Sequence, residues 1–305
     1  MKKPALALAF LALAGAVLFW LLTAPVRIGA GELAAMDQGD AAAGERIFHA
    51  GGCVSCHASP GAKGEDRKVL SGGLALKTPF GTFHAPNITT DRQAGIGAWS
   101  GADFANAMLA GVSPDGRHYY PAFPYTSYAR MKVGDVADLW AYMKTLPASS
   151  APNMAHELPL PFRLRRGLGL WKLLFLSAEP VAAATDPQIA AGRYLVEGPG
   201  HCGECHTPRN LIGGLDKGRW LGGGPAPEGT GRIPNLTPHA TGLAAWSFKD
   251  IAYSLESGFK PDFDSFGSSM VEVQENLARL PAADREAIAA YLKALPPVDN
   301  PKPGK

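Results

Sequence analysis

Apolar residues run from Pro4 to Thr23 without a charge, directly after the paired cations Lys2 and Lys3. Twenty helical residues rise about 30 Å, the thickness of a bilayer's hydrocarbon core. A cleaved secretory signal has a shorter apolar stretch, usually ~7–15 residues, closed by a small-x-small site. Here the run passes through Thr23-Ala24-Pro25 into Val26-Arg27 without such a site. Residues 1–30 are therefore expected to form an uncleaved anchor with its lysines inside. Beyond the anchor the period changes to 3.6. Val136, Leu139, Trp140 and Met143 recur at i, i+3, i+4 and i+7 ahead of Pro147, and Ile288, Tyr291, Leu292 and Leu295 do so ahead of Pro296. Each set predicts an amphipathic helix stopped by proline. Ser100-x-x-Asp103 and Ser247-x-x-Asp250 are helix-start signals: the serine oxygen accepts from orphan N–H groups and the acid sits at the positive end of the dipole. Helices are also expected over Ala41–Ala50 and Gln188–Glu197. No alternating segment is long enough to predict a sheet, so the expected fold is all-α.

These signals occur in two sets with the same order, which marks an internal repeat. Asn87-Ile88-Thr89 begins 34 residues after Cys53, and Asn235-Leu236-Thr237 begins 33 after Cys202. Trp99-Ser100 follows Asn87 by 12 residues, and Trp246-Ser247 follows Asn235 by 11. The repeat predicts two tandem domains, 39–147 and 186–297, each of ordinary size. The connector, 148–185, contains Phe162-Arg163-Leu164-Arg165-Arg166 and continues through Trp171 to Leu176. Basic residues beside tryptophan and leucine suit an anionic membrane surface or a partner groove. The simpler expectation is a linker whose apolar side packs between the two halves.

Glycine and proline supply 36 and 26 of 305 residues, yet the hydrophobic share is 46% and the net charge only +2. That combination argues against disorder and for loops wrapped around something apolar; without a charge excess, nucleic acid is not an expected partner. All four cysteines lie in two C-x-x-C-H runs, Cys53-Val54-Ser55-Cys56-His57 and Cys202-Gly203-Glu204-Cys205-His206. This is the attachment spacing of covalent c-type haem, in which two thiols add to porphyrin vinyl groups and the adjacent imidazole reaches the iron. A structural zinc site does not call for a histidine directly after each second cysteine, and a disulfide framework belongs to small secreted domains. Cys53, Cys56 and His57, with Cys202, Cys205 and His206, are the candidate holders of two covalently bound haem c groups, with His57 and His206 on the irons. Haem attachment of this kind is an export-side feature, which puts the body of the chain on the periplasmic side of a bacterial inner membrane.

Met270 follows Trp246 by 24 residues, in an expected loop ahead of the closing helix. It is the candidate sixth ligand of the second haem, because a thioether fills that role in cytochromes c and raises the potential; its other reading is core packing. The same count from Trp99 reaches Phe123, which cannot bind iron. The first haem's sixth position then lies open between Met131, His118, a tyrosine and no protein ligand. Met131 stands four residues before Asp135 as Leu280 stands before Asp284, which favours packing. The second ring nitrogens of His57 and His206 are expected to donate to a carbonyl, with Pro60 or Pro208 nearby. Asn87, Trp99, Arg209, Asn235 and Trp246 are candidates for hydrogen bonds to propionates, the tryptophans equally for packing. His49, His84, His156, His201 and His239 read as surface or loop residues, His201 also as lining the second haem's edge.

The run Gly200–Asn210, the signatures Pro234-Asn235-Leu236-Thr237 and Asn87-Ile88-Thr89, and Tyr120–Tyr125 resemble the periplasmic cytochrome c subunits of bacterial membrane-associated dehydrogenases, the alcohol and gluconate dehydrogenase group. The resemblance covers about residues 40–297. It implies class I cytochrome c-like domains and an electron carrier without substrate chemistry, with a dehydrogenase catalytic subunit as donor and quinone, another cytochrome or a terminal oxidase as acceptor. Two departures bear on the alcohol dehydrogenase role rather than on the electron-transfer class: there are two haem motifs where the best-known members have three, and Phe123 stands where they carry methionine. The rival expectations are a dihaem enzyme of peroxidase or thiosulfate-oxidising type with an open first haem, and a ligand-sensing haem module.

Overall fold

The computed structural model describes residues 2–226 and 231–300. Helix α1 (Lys2–Leu22) is continuous, apolar from Pro4 onward and exposed over 3–22. The first half then runs α2 (Ala41–Ala50), α3 (Cys53–His57), strands β1 (Ala75–Thr78) and β2 (Gly81–His84), α4 (Gly101–Ala110), α5 (Tyr125–Tyr128) and α6 (Val133–Met143). Helix α7 (Leu168–Phe175) lies in the connector. The second half repeats the order with α8 (Pro187–Glu197), α9 (Gly203–His206), β3 (Gly224–Pro225), β4 (Arg232–Ile233), α10 (Phe248–Ser257), α11 (Met270–Leu277) and α12 (Ala282–Ala294). The fold is rich in helix but not all-α. Strands β1 and β2 pair antiparallel with Leu76 opposite Phe83, and β3 and β4 form a two-residue ladder. Strands of four and two residues are too short for alternation to stand out from loop.

Each half is built on one helix crossing. Asp40 caps α2, and Asp186 caps α8, which opens on Pro187; the carboxylates take orphan N–H groups and the proline's missing N–H costs nothing there. Where α2 crosses α6, a Cβ on Gly44 would lie 1.9 Å from the Asp138 carbonyl oxygen; where α8 crosses α12, one on Gly192 would lie 1.8 Å from that of Ala287. Only glycine lets these backbones approach so closely. Around the first crossing Val136, Leu139, Trp140 and Met143 bury with Ile47 and Phe48; around the second, Ile288, Tyr291, Leu292 and Leu295 bury with Leu195 and Val196. Helices α4 and α10 carry the expected reciprocal capping by Ser100 with Asp103 and Ser247 with Asp250, and both end on a left-handed glycine, Gly111 and Gly258.

The halves contact each other through equivalent positions. Arg46 of α2 grips Asp284 in the first turn of α12 with two bonds of 2.6 and 2.8 Å. The reverse pairing joins Tyr194 of α8 to Asp135 in the first turn of α6. Arg46 and Tyr194 are 148 residues apart and Asp135 and Asp284 are 149 apart, so the interface has an internal two-fold character. Both C-x-x-C-H helices take part. Ser55 accepts from Asn276 of α11 at 3.2 Å, and Glu204 accepts from Thr126 and Ser127 at the α5 segment at 2.6 and 2.8 Å. Arg209 closes on the other Glu204 oxygen at 2.6 Å. Burial alone would raise the Glu204 carboxyl, but Arg209 and the two hydroxyls outweigh it and hold it below the usual carboxylate range.

Two stability measurements follow. In the haem-loaded protein, Gly192→Ala forces α8 off α12 and is expected to cost about 1–3 kcal/mol, whereas Gly134→Ala, with nothing within 4 Å of its Cβ, is expected to be neutral or to gain about 0.5–1 kcal/mol; thermal unfolding followed by circular dichroism ranks them. Glu204→Gln is expected to lose about 1.5–3 kcal/mol at neutral pH. Because the native carboxyl is held low, its contribution is complete above the ordinary carboxylate value and disappears as pH falls through the lowered one. The native protein should therefore lose more stability on acidification than Glu204→Gln.

Candidate functional site

Helices α3 and α9 follow the ends of α2 and α8 after short turns, which delivers each C-x-x-C-H run to the edge of a packed core. The ring Nδ1 of His57 lies 2.9 Å from the Pro86 carbonyl oxygen, and that of His206 lies 2.9 Å from the Pro234 carbonyl oxygen. A carbonyl can only accept, so Nδ1 carries the proton in both rings and the lone pair is on Nε2, the atom left for iron. Burial lowers both imidazoles below the ordinary histidine value, against the smaller opposing effect of the carbonyls, so both are neutral, as a metal ligand must be. Burial also pushes the Cys53 and Cys202 thiols up to about 12. Both are therefore thiols at neutral pH.

The two carbonyls are held by an identical device. Thr89 donates backbone and hydroxyl to Asn87 Oδ1 at 2.9 and 2.8 Å, and Thr237 does the same to Asn235 Oδ1 at 2.8 and 2.7 Å. Asn87 Nδ2 donates to the Ser149 and Ala151 carbonyls at 2.8 and 2.9 Å, and Asn235 Nδ2 to the Val298 carbonyl at 2.7 Å. Each asparagine thus stitches the chain beyond the closing helix to the loop that faces the histidine. Gly72 and Gly223 complete the device: their N–H groups donate to the His57 and His206 carbonyls, each at 2.7 Å. Their φ values are +75° and +72°, and a Cβ would lie 2.4 Å from the Ala85 oxygen or 2.6 Å from the Ile233 oxygen.

Several expected roles change. The histidine-orienting carbonyls belong to Pro86 and Pro234, not Pro60 or Pro208; Pro208 accepts from Asp216 N instead, at 2.8 Å. Asn87 and Asn235 spend their amides on the chain, and Arg209 is committed to Glu204 and the Gly213 carbonyl, so these three are structural. Trp99 and Trp246 pack against the two cores. His49 and His84 are buried rather than superficial. His201 bonds across the interface to the Gly51 carbonyl at 3.2 Å, its ring 5.7 Å from that of Tyr128. The sequence carried a usable signal for the carbonyls: both asparagine signatures are preceded by proline.

At the candidate sixth-ligand positions the halves differ. Met270 is the first residue of α11, not part of the preceding loop, and packs half-buried against the second core. Phe123, at the equivalent position, sits among Tyr119, Tyr125 and Tyr128 at ring distances of 5.7, 6.5 and 5.6 Å. Met131 is buried and turned on Tyr128 as Leu280 is turned on Leu277, a packing position in both halves. His118 Nε2 is occupied by the Thr23 carbonyl at 2.9 Å. The halves also trade volume beneath the motif helices. A Cβ on Gly203 would lie 2.0 Å from the Trp220 ring, while Val54 and Val69 stand at the equivalent first-half positions. Trp220 Nε1 in turn donates to Tyr291 at 3.1 Å, and Tyr291 to the buried Glu197 at 2.5 Å.

Residues 41–147 match the cytochrome c family. The diheme cytochrome c-type protein of Cereibacter sphaeroides is 54% identical over 96% of this chain and 97% of its own length. The gluconate 2-dehydrogenase cytochrome c subunit of Pantoea cypripedii is 38% identical over 83% of this chain, and the quinone alcohol dehydrogenase cytochrome c subunit of Gluconacetobacter polyoxogenes 38% over 84%. This chain spans only 58% and 56% of those two subunits. The end-to-end match, falling on a chain whose two motif helices both present a neutral imidazole, places the protein among the diheme cytochromes c, electron-transfer proteins with two covalently bound haem c groups.

Proposed function

We propose that this dihaem cytochrome c is anchored in a bacterial inner membrane by α1, faces the periplasm, and relays electrons from a dehydrogenase catalytic subunit toward the respiratory chain through quinone, another cytochrome or an oxidase. Each half, 39–147 and 186–297, is a class I cytochrome c domain. Cys53, Cys56 and His57 hold one haem, and Cys202, Cys205 and His206 the other, with Met270 as sixth ligand of the second. The haem, when bound, supplies the one-electron chemistry; the chain's residues orient the ligands and fix the two sites relative to each other. The observation that carries the relay is the reciprocal interface, in which each C-x-x-C-H helix is buttressed by the opposite half through Ser55–Asn276 and through Glu204 with Thr126 and Ser127. The mutual support holds the two sites at a fixed separation, which electron transfer between them requires. The dehydrogenase partner is supported by the relatives that are themselves cytochrome subunits of dehydrogenases, and the anchor by α1, the one helix among the described residues long and apolar enough to cross a membrane.

The asymmetry at Phe123 and Met270 gives the relay a direction. A thioether raises the potential of the haem it binds, so the second haem is the electron sink of the pair. Phe123 also favours a second reading, an enzyme with an open first haem. Reductive titration of the intact protein separates the two. The carrier resolves two one-electron steps and turns over no peroxide, and Met270→Leu lowers the upper step alone while admitting carbon monoxide to that haem. Peroxide turnover by the unmodified protein, with carbon monoxide bound at one haem before any substitution, supports the enzyme instead; an upper step unmoved by Met270→Leu removes Met270 as the ligand.

A further inference from the structure

Helix α1 does not end in a flexible tether. Thr23, the residue after it, is fully buried: its hydroxyl accepts from Arg166 Nε at 2.9 Å, its carbonyl accepts from His118 Nε2 at 2.9 Å, and Gly169 of α7 packs so closely that a Cβ there would lie 2.5 Å from the Thr23 Cα. The guanidinium of Arg166 also lies over the Trp20 ring, 4.0 Å from its centroid. Tryptophan and arginine are residues of the membrane–water boundary, so this pair marks the depth at which α1 leaves the lipid, and α7 begins two residues after Arg166.

Helix α7 has two unlike faces. Gly169 and Lys172 point inward; the Lys172 ammonium bonds the Ala110 and Gly111 carbonyls, both at 2.7 Å, at the end of α4, and locks the helix in rotation. Leu170, Leu173 and Leu174, at i, i+3 and i+4, point outward with 41, 63 and 70% of their surface exposed. Leu164 on one side and the second-half loop Leu211–Ile212 on the other extend the patch, Leu211 being fully exposed. Trp171 Nε1 binds the Ile212 carbonyl at 2.9 Å and fixes that loop beside α7. Contiguous exposed leucines on a helix without an apolar partner mark an interaction site.

We propose that the outer face of α7, with the Leu211–Ile212 loop, docks on the same bilayer that α1 spans. From Gly169, in contact with the exit point, to Leu173 is four residues, about 6 Å along the helix. Interfacial helices sink about 5–10 Å into the boundary between headgroups and acyl chains, so these leucines fall within the depth that lipid can cover. Exposed Arg163 lies at the edge of the patch, where it meets anionic headgroups. Because Leu211 follows His206 by five residues, the docking holds the second C-x-x-C-H helix within about 17 Å of chain from the membrane surface.

The inference rests on α1 being retained as an anchor, and the test separates the two. The full-length, haem-loaded chain is reconstituted in nanodiscs of phosphatidylcholine and phosphatidylglycerol with a spin label on Leu174→Cys, and in parallel on Leu170→Cys, Leu18→Cys and Phe263→Cys, each checked for an unaltered haem spectrum. Relative accessibility to oxygen and to a water-soluble nickel chelate reports depth. The expected result is a shift of the Leu174 and Leu170 labels from the water-like ratio of Phe263, 92% exposed between α10 and α11, to the lipid-like ratio of Leu18. Lipid-like Leu18 with water-like Leu174 and Leu170 overturns the docking and leaves the anchor intact; a water-like or missing Leu18 label overturns the anchor. Dipolar broadening at Leu174 that vanishes on dilution with unlabelled chain overturns the docking in favour of a second copy covering this face.

Discussion

The hydrogen bond from the histidine of each C-x-x-C-H run to a proline carbonyl is the constraint on which the rest of the molecule depends. A carbonyl has no proton to give, so the bond fixes the tautomer and leaves Nε2 as the free lone pair, while burial keeps the imidazole neutral against the carbonyl's smaller opposing pull. Everything around it serves to hold the carbonyl still. The asparagine ties the loop to the far end of the chain segment, the threonine ties it to the asparagine, and a left-handed glycine allows the histidine's own backbone to approach. The device occurs twice with bond lengths that agree to about a tenth of an ångström, although the residues around it differ.

The interface couples the two devices. Arg46 with Asp284 and Tyr194 with Asp135 are one contact made in both directions, once as an ion pair and once as a neutral donor to a carboxylate. Between them the C-x-x-C-H helices lean on the opposite half, and His201, immediately before the second motif, reaches the Gly51 carbonyl two residues before the first. Buried polar networks of this kind are costly when half satisfied, and this one is satisfied on both sides, which fixes the separation of the two haem sites. With α1 entering the body beside α7, the same packing extends from the end of α1 at Thr23 to the loop that follows the second motif.

Much of this was legible in the sequence because it is periodic or chemically singular. The closing helices, the capping boxes and the two motifs lie where the pattern puts them, and the repeat alone identifies the equivalent positions of the two halves. The hairpins were not legible, since β3 and β4 are two residues each and β1 and β2 are ordered by their pairing with one another and by the connector packed on them. The true roles of Asn87, Asn235 and Arg209 were hidden for a related reason: an amide or guanidinium can serve a propionate or the backbone equally well, and only the folded neighbours decide. Glu204 stood inside a recognised motif, yet its partners Thr126 and Ser127 lie 78 and 77 residues away in sequence, beyond any local pattern.

The central claim is that both halves carry a covalently attached haem at these histidine-bearing helices. Intact mass spectrometry under denaturing conditions, on chain purified from a host able to mature c-type cytochromes, addresses it directly, because thioether-linked groups survive unfolding whereas merely ligated ones dissociate. The predicted result is a chain heavier by two haem groups. A chain heavier by one, or by none, would contradict it.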